Sequence, residues 1–236
     1  MFLATACLLV REASAGPIGP SPYLSFADSP FNGGSFSYFN LETFEDHLLN
    51  TPGVTANTGG VTSVVFGPSI HDSVDADDGA IDGSGLAGDS YFSSNGSAGV
   101  RFTFSAATLG SLPTHAGIVW TDGDGTTSFQ AFDALNNSLG IIGPVALANG
   151  SFNGETAEDR FFGWINAGGI SSILISNTSG GIEVDHLQYG LAAGGAAPVP
   201  EPASLLLLFS GLTGLAVWQF GRYVANPALR RKMKQS

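Results

Sequence analysis

The sequence predicts an all-β protein: a jelly-roll-like β-sandwich followed by a single C-terminal transmembrane helix. Three observations point there. Short β-branched or aromatic runs recur through residues 23–190, each bounded by Gly, Asn, Asp or Pro. Glycine (33) and phenylalanine (17) are abundant while charged residues make up 12%, which suits turn-rich, aromatic-packed sheets better than helices. Finally, residues 203–221 carry no charge, and about 19 residues at about 1.5 Å each span about 28 Å, close to a bilayer core.

The elements follow in order. Residues 1–15 read as a secretory signal peptide, with an apolar run at 2–10 and Ala13, Ser14 and Ala15 before Gly16. No basic residue precedes the apolar run, so the leader reads as truncated. The Gly/Pro-rich residues 16–22 are expected to be a linker. Strands are expected at 23–26, 35–39 and 61–66, with 39–46 a further strand carrying acids on one face. Residues 72–89 hold six aspartates and four glycines and are expected to be loop. Further strands are expected at 99–104, 117–121, 127–135, 138–142, 160–165, 170–176 and 182–189. A short helical turn is expected at 108–112. Turns are expected at Asn136-Asn137, at 167–169 and at 177–181, and Asp122-Gly123-Asp124-Gly125 has turn chemistry as well. Residues 191–198 read as a second linker.

Charge is distributed asymmetrically. Between residues 16 and 198, Arg101 and Arg160 are the only Lys or Arg side chains, against eighteen acidic ones. Such a surface repels phosphate backbones, which excludes nucleic acid as a partner, and attracts Ca²⁺ and other cations. The only cysteine, Cys7, lies in the leader, so a mature domain would have no disulfide.

Three calcium arrangements are candidates, of which Asp122-Gly123-Asp124-Gly125 is a small one that an Asp/Gly turn explains as well. The first uses the loop acids Asp72, Asp75, Asp77, Asp78 and Asp82, since Ca²⁺ takes six to eight oxygen ligands. It is not an EF-hand, because Gly79 falls at the fifth position of the loop instead of the sixth. A solvated acidic loop is the competing reading. The second pairs Glu42 or Glu45 with Asp185, provided the first and last strands are neighbours; outward acids that protect edge strands are the competing reading. Zinc is disfavoured because His47, His71, His115 and His186 are widely spread. Trp120, Trp164 and Tyr91 are candidates for a sugar-stacking platform, with core packing as the competing role. No Gly-x-Ser-x-Gly elbow is present, and the chain is not expected to be an enzyme.

The C-terminus carries Val199, Pro200, Glu201, Pro202, Ala203 and Ser204, then the apolar span (a helix over about 204–221), then Arg222, Arg230, Arg231, Lys232 and Lys234. The basic tail should stay cytoplasmic, with the rest of the chain outside. These residues in this order resemble the PEP-CTERM sorting signal of bacterial exported proteins. The resemblance implies recognition by an exosortase-type processing enzyme and anchoring in the membrane before processing. It also implies a destination in the envelope, at the cell surface or in the extracellular matrix, often with exopolysaccharide. The domain also resembles lectin-like or carbohydrate-binding-module-like sandwiches of other PEP-CTERM proteins, on residues 41–46, 116–122 and 181–187. In such modules an early acidic strand and a late aspartate share a structural Ca²⁺. The expected function is therefore that of an exported, non-enzymatic structural or adhesive sandwich, with polysaccharide as the candidate ligand. A carbohydrate-active hydrolase on the same scaffold is the alternative. An ice-binding surface protein is a third reading, which no regular Thr-x-Thr array supports.

Overall fold

The structure, a computed structural model, describes residues 16–66, 72–152 and 154–194. The expected signal peptide, the sorting motif, the membrane helix, the basic tail and His71 lie outside the described residues. Among the described residues no helix is long and apolar enough to cross a membrane.

The described chain is predominantly β. In order it forms β1 (Gly16–Pro22), β2 (Phe36–Glu42), β3 (Val54–Ala56), β4 (Gly60–Val61), α1 (Thr62–Phe66), β5 (Tyr91–Ser93), β6 (Val100–Phe104), α2 (Ala106–Leu109), β7 (His115–Asp133), β8 (Ser138–Ala146), β9 (Arg160–Ile165) and β10 (Ile170–Ala192). All ten strands join one antiparallel sheet whose axis is the β7–β10 pair. The first half of β7 pairs with β9, and its second half with β8. β10 pairs successively with β6, β5 and β2.

Several expectations are corrected. Residues 16–22 are not a linker: they pair with β9, with Gly16 opposite Ile165 and Pro22 opposite Arg160. Residues 23–26 form no strand. Instead Ser25 Oγ accepts from Ala27 N at 3.2 Å and Asp28 Oδ2 accepts from Ser25 N at 3.1 Å, which caps a 3-10 turn at Phe26–Asp28. The acidic strand at 39–46 ends at Glu42, because Phe44 adopts a φ of 61°. Residues 62–66 turn into a single helical turn, despite their β-branched side chains. The Asp89 carboxylate draws them into it, accepting from Ser63 N at 2.8 Å and Thr62 Oγ1 at 2.9 Å.

The largest difference lies at Asp122–Gly125 and 177–181, where turn chemistry predicts breaks. β7 and β10 instead run through as bent strands of 19 and 23 residues. Register shifts between Asn177 and Ser179 and between Ser179 and Ile182 absorb the extra residues. Asn177 secures the bend. Its Oδ1 accepts from Trp120 Nε1 at 3.1 Å and Thr127 Oγ1 at 3.0 Å, and its Nδ2 donates to Gly181 O at 2.9 Å.

The bends change which side chains face inward. On β7, Ala116, Ile118 and Trp120 enter the main hydrophobic cluster before the bend, and Phe129 and Ala131 after it. On β10 the inward residues are Ile173 and Ile175, then Ile182 and Val184, then Leu187 and Tyr189. From Ile173 onward the inward parity of β10 thus switches twice. The second switch is a β-bulge: β10 advances from Asp185 to Gln188 while β7 advances only from Val119 to Gly117. The opposite face of this part of the sheet is covered by a second cluster of Tyr23, Phe31, Val74, Val119 and Phe161.

Candidate functional site

The bulge on β10 concentrates polar side chains beneath that second cluster. In a regular strand Asp185 and His186 would point to opposite faces. Here His186 sits at φ 43° and both side chains meet the covering loops. Asp185 is fully buried, accepting from Val74 N at 2.9 Å and from its neighbour His186 N at 2.5 Å. His186 Nε2 lies 2.8 Å from Asp77 Oδ1, and its Nδ1 lies 2.8 Å from the Tyr23 hydroxyl. Gln188 Nε2 donates to the Tyr23 oxygen at 3.0 Å, and Ser29 Oγ donates to Gln188 Oε1 at 2.5 Å. Burial, followed by the adjoining Asp77 carboxylate, pushes the Asp185 carboxyl well above its usual range.

A second concentration of acid lies along the same strands. Glu183 and Asp122 are direct cross-strand partners, so their side chains share a face. Ser90 Oγ donates to Glu183 Oε1 at 2.8 Å, and the Asp72 N–H also donates to this carboxylate. Asp72 and Asp159 are 1% and 0% exposed, and among the described residues no hydrogen bond reaches any of their four carboxylate oxygens. Burial, then the charge of Glu183, raises Asp72 to about 9. Burial, then the charge of Asp72, raises Asp159 to about 10. Glu183 rises to about 8 and Asp122 to about 7, each through burial first. Asp122 and Glu183 also line a cleft of about 300 Å³ with Phe92, Phe152, Asp124 and Gly181. Phe152 is 56% exposed.

A third cluster gathers Ser63, His47 and Asp89. It is not arranged as a nucleophilic triad. Ser63 Oγ and the Asp89 carboxylate both meet His47 at Nδ1, and Ser63 also donates directly to Asp89 at 2.6 Å. A relay needs serine and aspartate on opposite ring nitrogens. This cluster fastens the 43–51 loop to α1.

The residues singled out from sequence are redistributed. Asp77 and Asp185, assigned to separate calcium arrangements, come together. Asp75 does not join them: its carboxylate accepts from Asp82 N, Gly83 N and Thr156 Oγ1 at 2.8, 3.0 and 2.6 Å, closing the loop on itself. Asp78 and Asp82 are exposed, and Asp78 accepts from Ala80 N in its own turn. β2 and β10 are neighbours, as the second arrangement required, but Glu42 stands opposite Leu187, an inward residue, so it lies on the other face from Asp185. Its carboxylate accepts from Phe44 N, Asn50 N and Thr51 N. Glu45 is exposed and accepts from Asp89 N at 2.6 Å. Trp120, Trp164 and Tyr91 are 1%, 7% and 6% exposed and belong to the main core, which rules out a stacking platform there. Asp122, weighed with Asp124 as a small calcium turn, lines the cleft, while sequence reasoning missed Phe92, Phe152, Glu183 and His186 as site residues. The only signal for the last two was their place in the run Glu183-Val184-Asp185-His186. No protein-family model, curated protein or solved structure matches the chain.

Proposed function

We propose that this is an exported envelope, cell-surface or extracellular-matrix protein whose sheet is a jelly-roll-like sandwich and whose cleft binds polysaccharide without cleaving it. The cleft lined by Phe92, Phe152, Asp122, Asp124 and Glu183 carries the reading. Aromatic faces pack on the C–H faces of sugar rings, and carboxylates accept from sugar hydroxyls. The scarcity of basic side chains on the domain suits neutral or cationic glycans better than acidic ones. Export and sorting rest on the leader and on the Pro200-Glu201-Pro202 tail, with an exosortase-type enzyme as processing partner and the apolar span as anchor before processing. Calcium, for which the sequence offered the 72–82 loop, is placed in this reading near Asp72, Asp122 and Glu183, whose charges act on one another although their carboxylate oxygens do not gather within 4.8 Å as a group.

Glycan-array binding by the intact chain, weakened at least about tenfold by Phe152→Ala, is the expected result. Undiminished binding by that variant would remove the cleft from the reading. Alanines at Pro200, Glu201 and Pro202 should leave an unprocessed, membrane-held precursor, seen as a higher mass in the membrane fraction.

One observation favours a second reading. Asp122 and Glu183 face each other across strands in the cleft, with carboxyls raised to about 7 and about 8. A protonated acid beside a second carboxylate is the pairing glycoside hydrolysis uses. Release of reducing sugar that disappears in Glu183→Gln would replace the binding module with a hydrolase.

A further inference from the structure

We propose that Asp77, Asp185 and His186 form a binding site for a divalent transition-metal ion of the zinc(II) type, built on the bulge of β10. One ligand atom from each residue lies within 4.8 Å of the other two. A tetrahedral ion with bonds of about 2.0–2.1 Å sets its ligand atoms about 3.4 Å apart. The 2.8 Å separation of His186 Nε2 and Asp77 Oδ1 therefore needs to open by about 0.6 Å. A second observation points the same way. The Asp77 side chain is 7% exposed, and its Oδ2 has no hydrogen-bond partner among the described residues.

Apart from His186, which pairs with Asp77, no cationic side chain offsets that charge. Arg101 and Arg160 are the only Lys or Arg between residues 16 and 194. Arg101 stacks over Phe132 and donates to Ser172, while Arg160 donates to the main-chain oxygens of Ala157 and Asp159. Two adjoining buried carboxylates are costly unless a proton or a cation sits between them. The ligands are also held in place from outside, as metal ligands are. Two backbone N–H groups orient Asp185, and the Tyr23 hydroxyl, itself held by Gln188, orients the imidazole through Nδ1. Asp77 sits on a 3-10 turn, Asp75–Asp78, tied to the segment after β1 by Ala76 N donating to Leu24 O.

The donor set selects the class of ion. One imidazole nitrogen with two carboxylate oxygens suits zinc. Calcium and magnesium prefer six or more oxygens and no nitrogen. This site is independent of the polysaccharide reading and uses none of the residues lining the cleft.

The test is a titration of the full chain in detergent micelles, stripped with EDTA. ZnCl₂ is added in a calorimeter, and in parallel CoCl₂ is followed by visible absorption. The expected result is one tight site per chain, a cobalt d–d band, and a melting temperature raised by about 5 °C or more at zinc a hundredfold above Kd. Asp77→Asn, which keeps an acceptor for an Nε2–H donor, should weaken binding about tenfold or more. His47→Ala should leave it unchanged. Three results would overturn the site: no stoichiometric zinc in the wild type, zinc bound equally by Asp77→Asn, or zinc lost in His47→Ala. The wild-type titration is decisive even where a variant fails to fold.

Discussion

β10 contains two stretches that meet opposite environments within one strand. At 170–175 it contributes Ile170, Ile173 and Ile175, all fully buried among Phe102, Phe129 and Trp120. At 183–188 it contributes Glu183, Asp185, His186 and Gln188, also buried, under a cover of Tyr23, Val74 and Phe161. Burial stabilises the first stretch directly, because apolar area leaves water. In the second stretch every buried polar group loses hydration and must regain a partner. Gln188 and His186 do so through Ser29, Tyr23 and Asp77, whereas the nearby Asp72 and Asp159 do not. The apolar stretch therefore carries the stability of the sheet. The acidic stretch forgoes stability and holds the groups able to bind a ligand.

The largest expected effect breaks the apolar side. Phe102→Ala should cost about 3–5 kcal/mol, as for other fully buried phenylalanines, read from the urea midpoint at constant m-value. A loss below 1 kcal/mol would mean the cluster is loosely packed.

The next effect belongs to the acidic side. Asp122, Glu183, Asp72 and Asp159 have folded-state pKa values of about 7, 8, 9 and 10, above those of the unfolded chain near 4. The folded state then binds more protons than the unfolded state between pH 4 and pH 10, so stability falls as pH rises through that window. In chelator, unfolding free energy should drop between pH 5 and pH 9 by more than about 1.4 kcal/mol, the equivalent of one pKa unit on one group. A flat or rising profile would show that these carboxyls stay ionised with partners of their own. A bound divalent cation should flatten the fall.

Asp72→Asn should sharpen the contrast more gently. It removes the cost of keeping an unpartnered buried carboxyl protonated at a pH where the unfolded chain has it ionised, and in chelator at pH 8 it should stabilise the fold by at least about 1–2 kcal/mol. With excess Ca²⁺ the gain should vanish or reverse if the carboxylate is a ligand. The smallest effect is that of Phe152→Ala: an exposed side chain, its removal should change stability by no more than about 0.5 kcal/mol while glycan binding falls.

Much of this was legible in the sequence, for identifiable reasons. The β-rich class, β6 and β9 followed from local composition and punctuation, which depend on neighbouring residues alone; the helical turn expected at 108–112 forms earlier, at Ala106–Leu109. The acidity of the 72–89 loop was equally plain. Bulges were not legible. Alternation from Ile182 onward places Asp185 and His186 on opposite faces, and only the extra residue between Asp185 and Gln188, measured against β7, turns both toward Asp77. The same limit applies to Trp120, offered for sugar stacking with core packing as the competing role: core packing holds, because β7 does not turn there and the indole N–H finds Asn177 on the neighbouring strand.

The sequence by itself determined the protein's class, its charge asymmetry and the expectation of export, since these depend on which residues are present and in what local order. Only the tertiary structure decided which acids meet. Strand register and bulge position depend on pairing between segments more than a hundred residues apart, such as Asp77 with His186, and no local pattern encodes that distance.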